Sequence, residues 1–473
     1  MMGKKKQIIH LLLLSLLLLL GGSAAAAGTG GGGGRNKDKE AEFMLREEEE
    51  AARTEAGVIR VVRGGGGGGE KKAMDIGFIT MEPKSLLLPH FLDSHLVLFL
   101  PLGEARIGHV YKDELVEKEL KSGDIYTIEA GSAFYLVNTA EGQRLRVICS
   151  IVRGSDHSLP SPSFQPYFIG GGAHPTSVLS GFDFKTLSTA FNVSGTDLTK
   201  LLRANLSGPI VPLSKHSQSS DAWDCFMNLK QEERLARLKR FAGVGREDDD
   251  NERSWRWAFK KALVMTKMML GPFSNKEESG SNKEESGSGE ASESYNIFEA
   301  EPDFSNDYGW SLAVGGDDYS SLKLPDITVY LVNLSAGSMM APHINPRASE
   351  YGVVLRGTGE VQIVFPNGTL AMKAQVEEGD VFLVPRFFPF CQIASRNGPF
   401  VFFGFTTSAR DNGPQFLAGQ GSVLQLLKGR ELATALGGLS KEKLDSILEA
   451  QSESTILPPA TASPSVQQVL KMI

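Results

Sequence analysis

His343-Ile-Asn-Pro-Arg-Ala-Ser-Glu350-Tyr-Gly-Val-Val-Leu-Arg-Gly357, followed after a gap by Gly379-Asp380-Val-Phe-Leu-Val-Pro385-Arg-Phe-Phe-Pro-Phe390, is one half of an internal repeat. The other half lies far upstream. There Leu100-Pro-Leu-Gly103-Glu-Ala-Arg-Ile107 leads, at nearly the same gap, into Gly123-Asp124-Ile-Tyr-Thr-Ile-Glu-Ala-Gly131-Ser-Ala-Phe134-Tyr-Leu-Val-Asn138. The likeness runs on: Ser177-Val-Leu precedes Leu187-Ser-Thr-Ala190 as Ser422-Val-Leu precedes Leu432-Ala-Thr-Ala435. Self-similarity on this scale implies two copies of one domain.

Within each copy the apolar period is two. Ala105 and Ile107, and the residues around Val361 and Ile363, alternate with polar neighbours, and Pro366-Asn-Gly supplies a hairpin connection. Many short strands at even spacing suggest a barrel or sandwich, which buries its apolar face and closes its edges. After each barrel the pattern turns helical. Leu198, Leu201 and Leu202 follow the capping residue Ser194, and Leu444, Ile447 and Leu448 follow Ser440. The expected fold is all-β with helical extensions, two barrels each followed by a short helical arm whose leucine stripe needs a partner.

The rest of the 473 residues divides by composition. Lys4-Lys5-Lys6, the apolar run Ile8 to Leu20 and the small residues to Ala27 have the order of a secretory leader, over 1–27, and the run is too short to span a bilayer. Residues 28–72, with two glycine runs and Glu47 to Glu50, are expected to be disordered, apart from an edge strand at Val58-Ile-Arg-Val-Val62. The barrels and their arms are assigned to 73–213 and 294–460, separated by a charged low-complexity linker over 214–293 and followed by a flexible tail over 461–473. Within the linker, the basic, aromatic stretch from Ser254 to Leu270 is read as a packed or frayed helix rather than a membrane-surface one. A net charge of −7 argues against nucleic acid as a partner, since phosphate binding needs a basic surface.

Sequons at Asn192, Asn205, Asn333 and Asn367 are candidates for N-glycosylation, and Asn367 falls in a turn signal. Of the three cysteines, Cys149 shares a strand face with Leu145, Val147 and Ile151 and reads as core. Cys391 follows Phe390 and either lines the second barrel or packs between sheets. Three cysteines form no paired framework, so stability must come from hydrophobic cores.

These residues carry a family resemblance. Gly123 to Asn138 resembles the second cupin motif, with Glu129 for its proline and Phe134 for its histidine, and His343, Asn345, Glu350 and Gly357 resemble the first. Asp303 to Trp310, Ser338 to His343 and Phe403 to Ser408 strengthen a likeness to the vicilin branch of plant seed storage globulins. The resemblance implies two jelly-roll cupin barrels, a homotrimer joined through its helical arms, and a nutrient reservoir in the protein storage vacuole, with an extracellular destination as the alternative.

Metal-dependent cupin oxidoreductases are the competing expectation. The resemblance implies a ligand set of two histidines spaced by one residue, a glutamate and a second-motif histidine. His343 and Glu350 match two of those positions, whereas Asn345 and Phe390 hold the others, and Phe134 replaces the histidine in the first barrel. One imidazole and one carboxylate make a poor site for iron or manganese. No cofactor is therefore expected. Two lesser alternatives use the C-terminal barrel: copper held by His343 with Cys391, or a small molecule anchored by His343, Asn345 and Glu350.

Overall fold

The computed structural model describes residues 42–46, 48–64, 74–111, 114–153, 166–171, 174–202, 208–213, 293–410 and 412–460. The expected leader over 1–27, all but the last residue of the linker over 214–293, the tail over 461–473, Cys225 and Asn205 lie outside the described residues.

Each repeat is a pair of antiparallel sheets. In the N-terminal unit one sheet orders Glu48–Thr54, Gly57–Val62, Met74–Met81, Leu145–Arg153, Ser94–Leu102, Asp124–Ile128 and Tyr295–Asn296. The other orders Pro166–Phe168, Ser85–Leu92, Phe134–Asn138, Ala105–Tyr111 and Glu114–Leu120, with Ile210–Pro212 also on Ser85–Leu92. The C-terminal unit repeats this plan. Its first sheet orders Phe304–Asn306, Gly309–Val314, Thr328–Leu334, Phe400–Thr406, Glu350–Arg356 and Val381–Val384. Its second orders Leu370–Glu377, Thr358–Val364, Pro389–Ala394, Met339–Met340 and Ile456–Leu457, with His343–Ile344 lying between Pro389–Ala394 and Gln415–Phe416. The registers agree strand for strand: Cys149 opposes Gly77 and Leu98 as Gly404 opposes Tyr330 and Gly352.

Side-chain alternation explains why Ser94–Leu102 reads as a nearly continuous apolar run. In Ser94–Leu102, Leu96, Leu98 and Leu100 fill the N-terminal barrel, while Val97 and Phe99 face the other unit. Both faces are buried, so no polar alternation survives. Phe400–Thr406 does the same, with Phe400 and Phe402 inside its barrel and Phe403 and Phe405 outside it. Val97, Phe99 and Ile125 thus share a single core with Tyr351, Val353, Phe403 and Phe405. Each such side chain contributes about 1.5–3 kcal/mol by leaving water.

The strands turn at matched glycines. Gly103 and Gly357 end equivalent strands at φ 103° and 84°, and in each case a backbone oxygen, of Arg144 or Pro399, crowds the position a Cβ would take. Only glycine fits there.

Each unit also lends a segment to the other. Tyr295 and Asn296, just ahead of the C-terminal barrel, pair with Ile125 and Asp124 of the N-terminal one. Reciprocally, Met44 bridges to Phe382, the Leu45 amide donates to the Val381 carbonyl at 3.0 Å, and the Leu383 amide donates to the Phe43 carbonyl at 2.8 Å. Asp124–Ile128 and Val381–Val384 are equivalent strands, so the exchange covers the same sheet edge twice.

Three expectations need correcting here. Residues 48–62 lie inside the segment expected to be disordered over 28–72, yet Glu48–Thr54 and Gly57–Val62 form a paired hairpin. The strand expected at Val58–Val62 is not at the edge, because it pairs with Met74–Met81 as well. Finally, the arm leucines are not all free for a partner: Leu198 and Leu444 are buried within their own chain. Of the expected stripes Ile447 is exposed, and the arms also expose Phe182, Phe184, Phe191, Leu426, Leu427 and Leu436. The capping expectation holds, with Ser194 and Ser440 hydroxyls accepting from the Asp197 and Lys443 amides.

Candidate functional site in the C-terminal barrel

The short strand His343–Ile344 is wedged between two others, and this fixes the imidazole inside the barrel. Its Nδ1 lies 2.8 Å from the Ala341 carbonyl. A carbonyl only accepts, so Nδ1 carries the proton and Nε2 holds the lone pair. Phe390 and Phe416 flank the ring, with centroids 4.0 and 5.3 Å away. Burial pushes the imidazole pKa down to about 4, against the opposing pull of the Ala341 carbonyl. His343 is therefore neutral at physiological pH.

Glu350 begins the next strand and is buried. Asn345 Nδ2 donates to its Oε2 at 2.8 Å, and Gln392 Nε2 donates to its Oε1 at 3.3 Å. Burial raises the carboxyl pKa to about 7, with the Asn345 donor acting in the opposite direction. The Tyr330 hydroxyl adjoins this carboxyl, and burial, reinforced by the Glu350 charge, raises its pKa well above the phenolic range. Neither the Tyr330 hydroxyl nor Gln392 Oε1 has a hydrogen-bond partner of normal geometry.

Asn345, Gln392 and Tyr330 thus converge on Glu350, while His343 is held against Phe390, two residues before Gln392 on the same strand. Cys391 is not brought in. In Pro389–Ala394, Phe390 and Gln392 pair with the inward residues Ile363 and Val361, whereas Cys391 pairs with Gln362 on the opposite face, near Glu360 and Lys373. The His343–Cys391 pair considered for copper is not assembled, because successive strand residues point to opposite faces. Burial pushes the Cys391 thiol up to about 11. Among the described residues, no three His, Cys, Asp or Glu side chains converge as a metal-ligand set. One imidazole lone pair, a carboxyl that is half protonated near neutrality and two amides make a hydrogen-bonding chamber rather than a tight cation site.

In the N-terminal barrel, His90 takes the place of His343. Its Nδ1 donates to the Leu88 carbonyl at 2.7 Å, and its ring lies between Phe134 and Phe168. The rest of the polar set is missing. By register, Leu96 stands for Glu350, Leu136 for Gln392 and Gly77 for Tyr330. Cys149 fills the space over Gly77 and is core, as expected, with its thiol raised by burial to about 12. Sequence spacing does not single out His90, because it and His95 are not spaced as a His-x-His pair. Nor does it single out His109, buried with Nε2 2.8 Å from the Tyr126 hydroxyl and Nδ1 unpartnered, beside a cavity of about 190 Å³ at the contact between the units. Of the sequons, Asn192 ends a helix, Asn333 lies within Thr328–Leu334 and Asn367 is at a hairpin tip.

Comparison with known proteins agrees with this geometry. The family profile described as Cupin matches residues 295–442. A vicilin-like seed storage protein of Arabidopsis thaliana is 48% identical over 409 residues, covering 85% of this chain and 77% of that protein. A second from the same plant is 33% identical over 392 residues, covering 80% of this chain and 67% of that protein. Among solved structures, the vicilin of Corylus avellana aligns with a TM-score of 0.68 at 21% identity, covering 89% of this chain and all of that one. The chain belongs to the vicilin-like seed storage globulins of the cupin superfamily.

Proposed function

We propose that this storage globulin acts without catalytic turnover, reaches a protein storage vacuole through the secretory pathway and assembles as a homotrimer through its arms. The observation that carries the non-catalytic reading is the pair Phe134 and Phe390. Phe134 packs on His90 and Phe390 on His343, each at the position where the resemblance to metal-binding cupins calls for another imidazole. A dry phenyl surface makes a bare divalent charge costly.

The trimer reading is supported by apolar surface on both arms. Phe182 and Phe184 of the first arm are 58% and 50% exposed, and Leu426 and Leu427 of the second 83% and 64%. Contiguous exposed apolar residues mark an interaction site. The two arms descend from one repeat, so a second copy of this chain offers the matching surface head to tail, and a heterologous contact of this kind closes as a ring. Light scattering tests it: Leu426→Asp with Leu427→Asp should release monomers from a trimeric wild type. A wild type that is already monomeric refutes the reading.

A subsidiary reading is carriage of a small polar molecule in the C-terminal barrel. It is favoured by Gln392 Oε1, buried without a hydrogen-bond partner beside Glu350, since such groups in native proteins usually meet water or a ligand. Mass spectrometry of small molecules released from protein purified under native conditions tests it.

A further inference from the structure

Asn367, Gly368 and Thr369 form the tip of the hairpin between Thr358–Val364 and Leu370–Glu377, and residues 366–370 are all exposed. The turn is closed by the Phe365 amide donating to the Thr369 carbonyl and the Gly368 amide donating to the Phe365 carbonyl, both at 2.8 Å. Gly368 has φ 83°, with open space around it. Within the turn, the Thr369 hydroxyl donates to Asn367 Oδ1 at 2.7 Å, and the Thr369 amide donates to the same oxygen at 3.0 Å. Both donors engage the amide oxygen. Nδ2 is left as the free end of an exposed side chain, with the sequon hydroxyl already on the carboxamide.

The other described sequons lack this arrangement. Asn333 is half-buried in a strand paired on both sides, opposite Trp310 and Val401, and those two side chains pack against the core between the barrels. A sugar on Asn333 would have to displace them. Asn192 is exposed at a helix C-terminus, but its sequon hydroxyl is committed elsewhere: Ser194 Oγ lies 2.8 Å from Thr196 Oγ1, donates to Asp197 Oδ2 at 2.8 Å and caps the following helix.

We propose that Asn367 carries an N-linked glycan and that Asn333 and Asn192 do not; the proposal rests on the secretory reading above. The co-reactant is an oligosaccharide carried on a lipid diphosphate. Asn367 Nδ2 forms a bond to the anomeric carbon, the bond from that carbon to the diphosphate oxygen breaks, the diphosphate leaves with the electron pair, and the amide proton passes to a base of the transferase. The glycan then stands on a hairpin tip whose residues 366–370 are all exposed, away from the barrel core.

The test expresses the full chain in a eukaryotic secretory host behind an exchanged leader of established function. Peptides are then read by mass spectrometry after enzymatic release of N-glycans in heavy-oxygen water. The expected result is one glycan on the Asn367 peptide, none on the Asn192 and Asn333 peptides, complete loss in Thr369→Ala and retention in Thr369→Ser. An unmodified Asn367 peptide in secreted protein, or a glycan on Asn333 or Asn192, overturns the proposal. A parallel sample with the chain's own leader separates the two readings: glycan present with the exchanged leader and absent with its own would refute the secretory reading alone.

Discussion

His90 and His343 hold the same position in the two barrels: each donates from Nδ1 to the carbonyl two residues back, and each lies on a phenylalanine, Phe134 at 4.2 Å or Phe390 at 4.0 Å. In both, burial pushes the pKa down to about 4. The pair makes the duplication visible in chemistry as well as in topology.

A depressed histidine pKa gives the acid limb of stability its sign. The unfolded imidazole binds a proton near pH 6.5, whereas the folded one resists until about 4. Stability is therefore intact above pH 6.5 and falls as the pH drops through that window, by roughly 1 kcal/mol per histidine per pH unit. In His90→Gln and His343→Gln the acid slope of the urea midpoint should each shrink by about one proton. An unchanged slope in both would contradict the assignment.

Glu350 acts in the opposite direction. Its folded pKa of about 7 lies above the ordinary 4.5, so its contribution is fully present below pH 4.5 and is lost as the pH rises through 7. A shift of this size corresponds to roughly 3 kcal/mol once the carboxyl is ionised in place. Glu350→Gln should remove the fall in stability that this carboxyl imposes between pH 4.5 and about 7, and leave the slope outside that window alone. A thermal-unfolding profile parallel to wild type across pH 4.5 to 7 would show that the carboxyl is not held as described.

The contact between the units is the next target. The Phe99 and Phe403 rings stack with centroids 4.0 Å apart and 13° between planes. Either truncation to alanine should cost about 3 kcal/mol. A double-mutant cycle should return a coupling of about 1 kcal/mol, as for other buried aromatic pairs. Strict additivity would mean that the two barrels do not share this core.

Phe43 tests the exchanged segment. It is buried against Phe365 and Phe388 of the C-terminal barrel, far along the chain. Phe43→Ala should lower stability by about 3 kcal/mol, measured by urea unfolding. A neutral substitution would place residues 42–46 outside the cooperative unit.

Which features the sequence disclosed follows from how far each signal reaches. Gly103 and Gly357, or Phe134 and Phe390, sit at fixed offsets within repeated strands, so duplication exposes them without any knowledge of contacts. The barrel-mouth residues Asn345 and Glu350 were legible for the same reason. Cys391, left open by the sequence between the barrel lining and a place between sheets, is decided by strand phase: alternation from Phe390 puts Gln392 inside and turns Cys391 away. Tyr330 escaped notice because its strand, Thr328–Leu334, is buried on both faces and shows no period.

Other features depend on contacts no local pattern encodes. Tyr295–Asn296 and the Met44 bridge are pairings of one or two residues across the chain, too short to carry periodicity. Glu48–Thr54 reads as a charged, disordered stretch because it is an exposed strand stabilised by ladder hydrogen bonds and by surface pairs such as Arg63 with Glu49. Leu198 and Leu444 look like interface residues in sequence, since an apolar helical stripe does not reveal whether its own chain or another covers it.

The central claim is a metal-free, arm-joined storage assembly, and native mass spectrometry of the purified full-length protein tests it most directly, since one spectrum reports both mass and bound ions. The account predicts three chains per particle and less than one equivalent of iron, manganese, copper or zinc. Single chains each holding one metal ion, with that ion lost in His343→Ala, would contradict it.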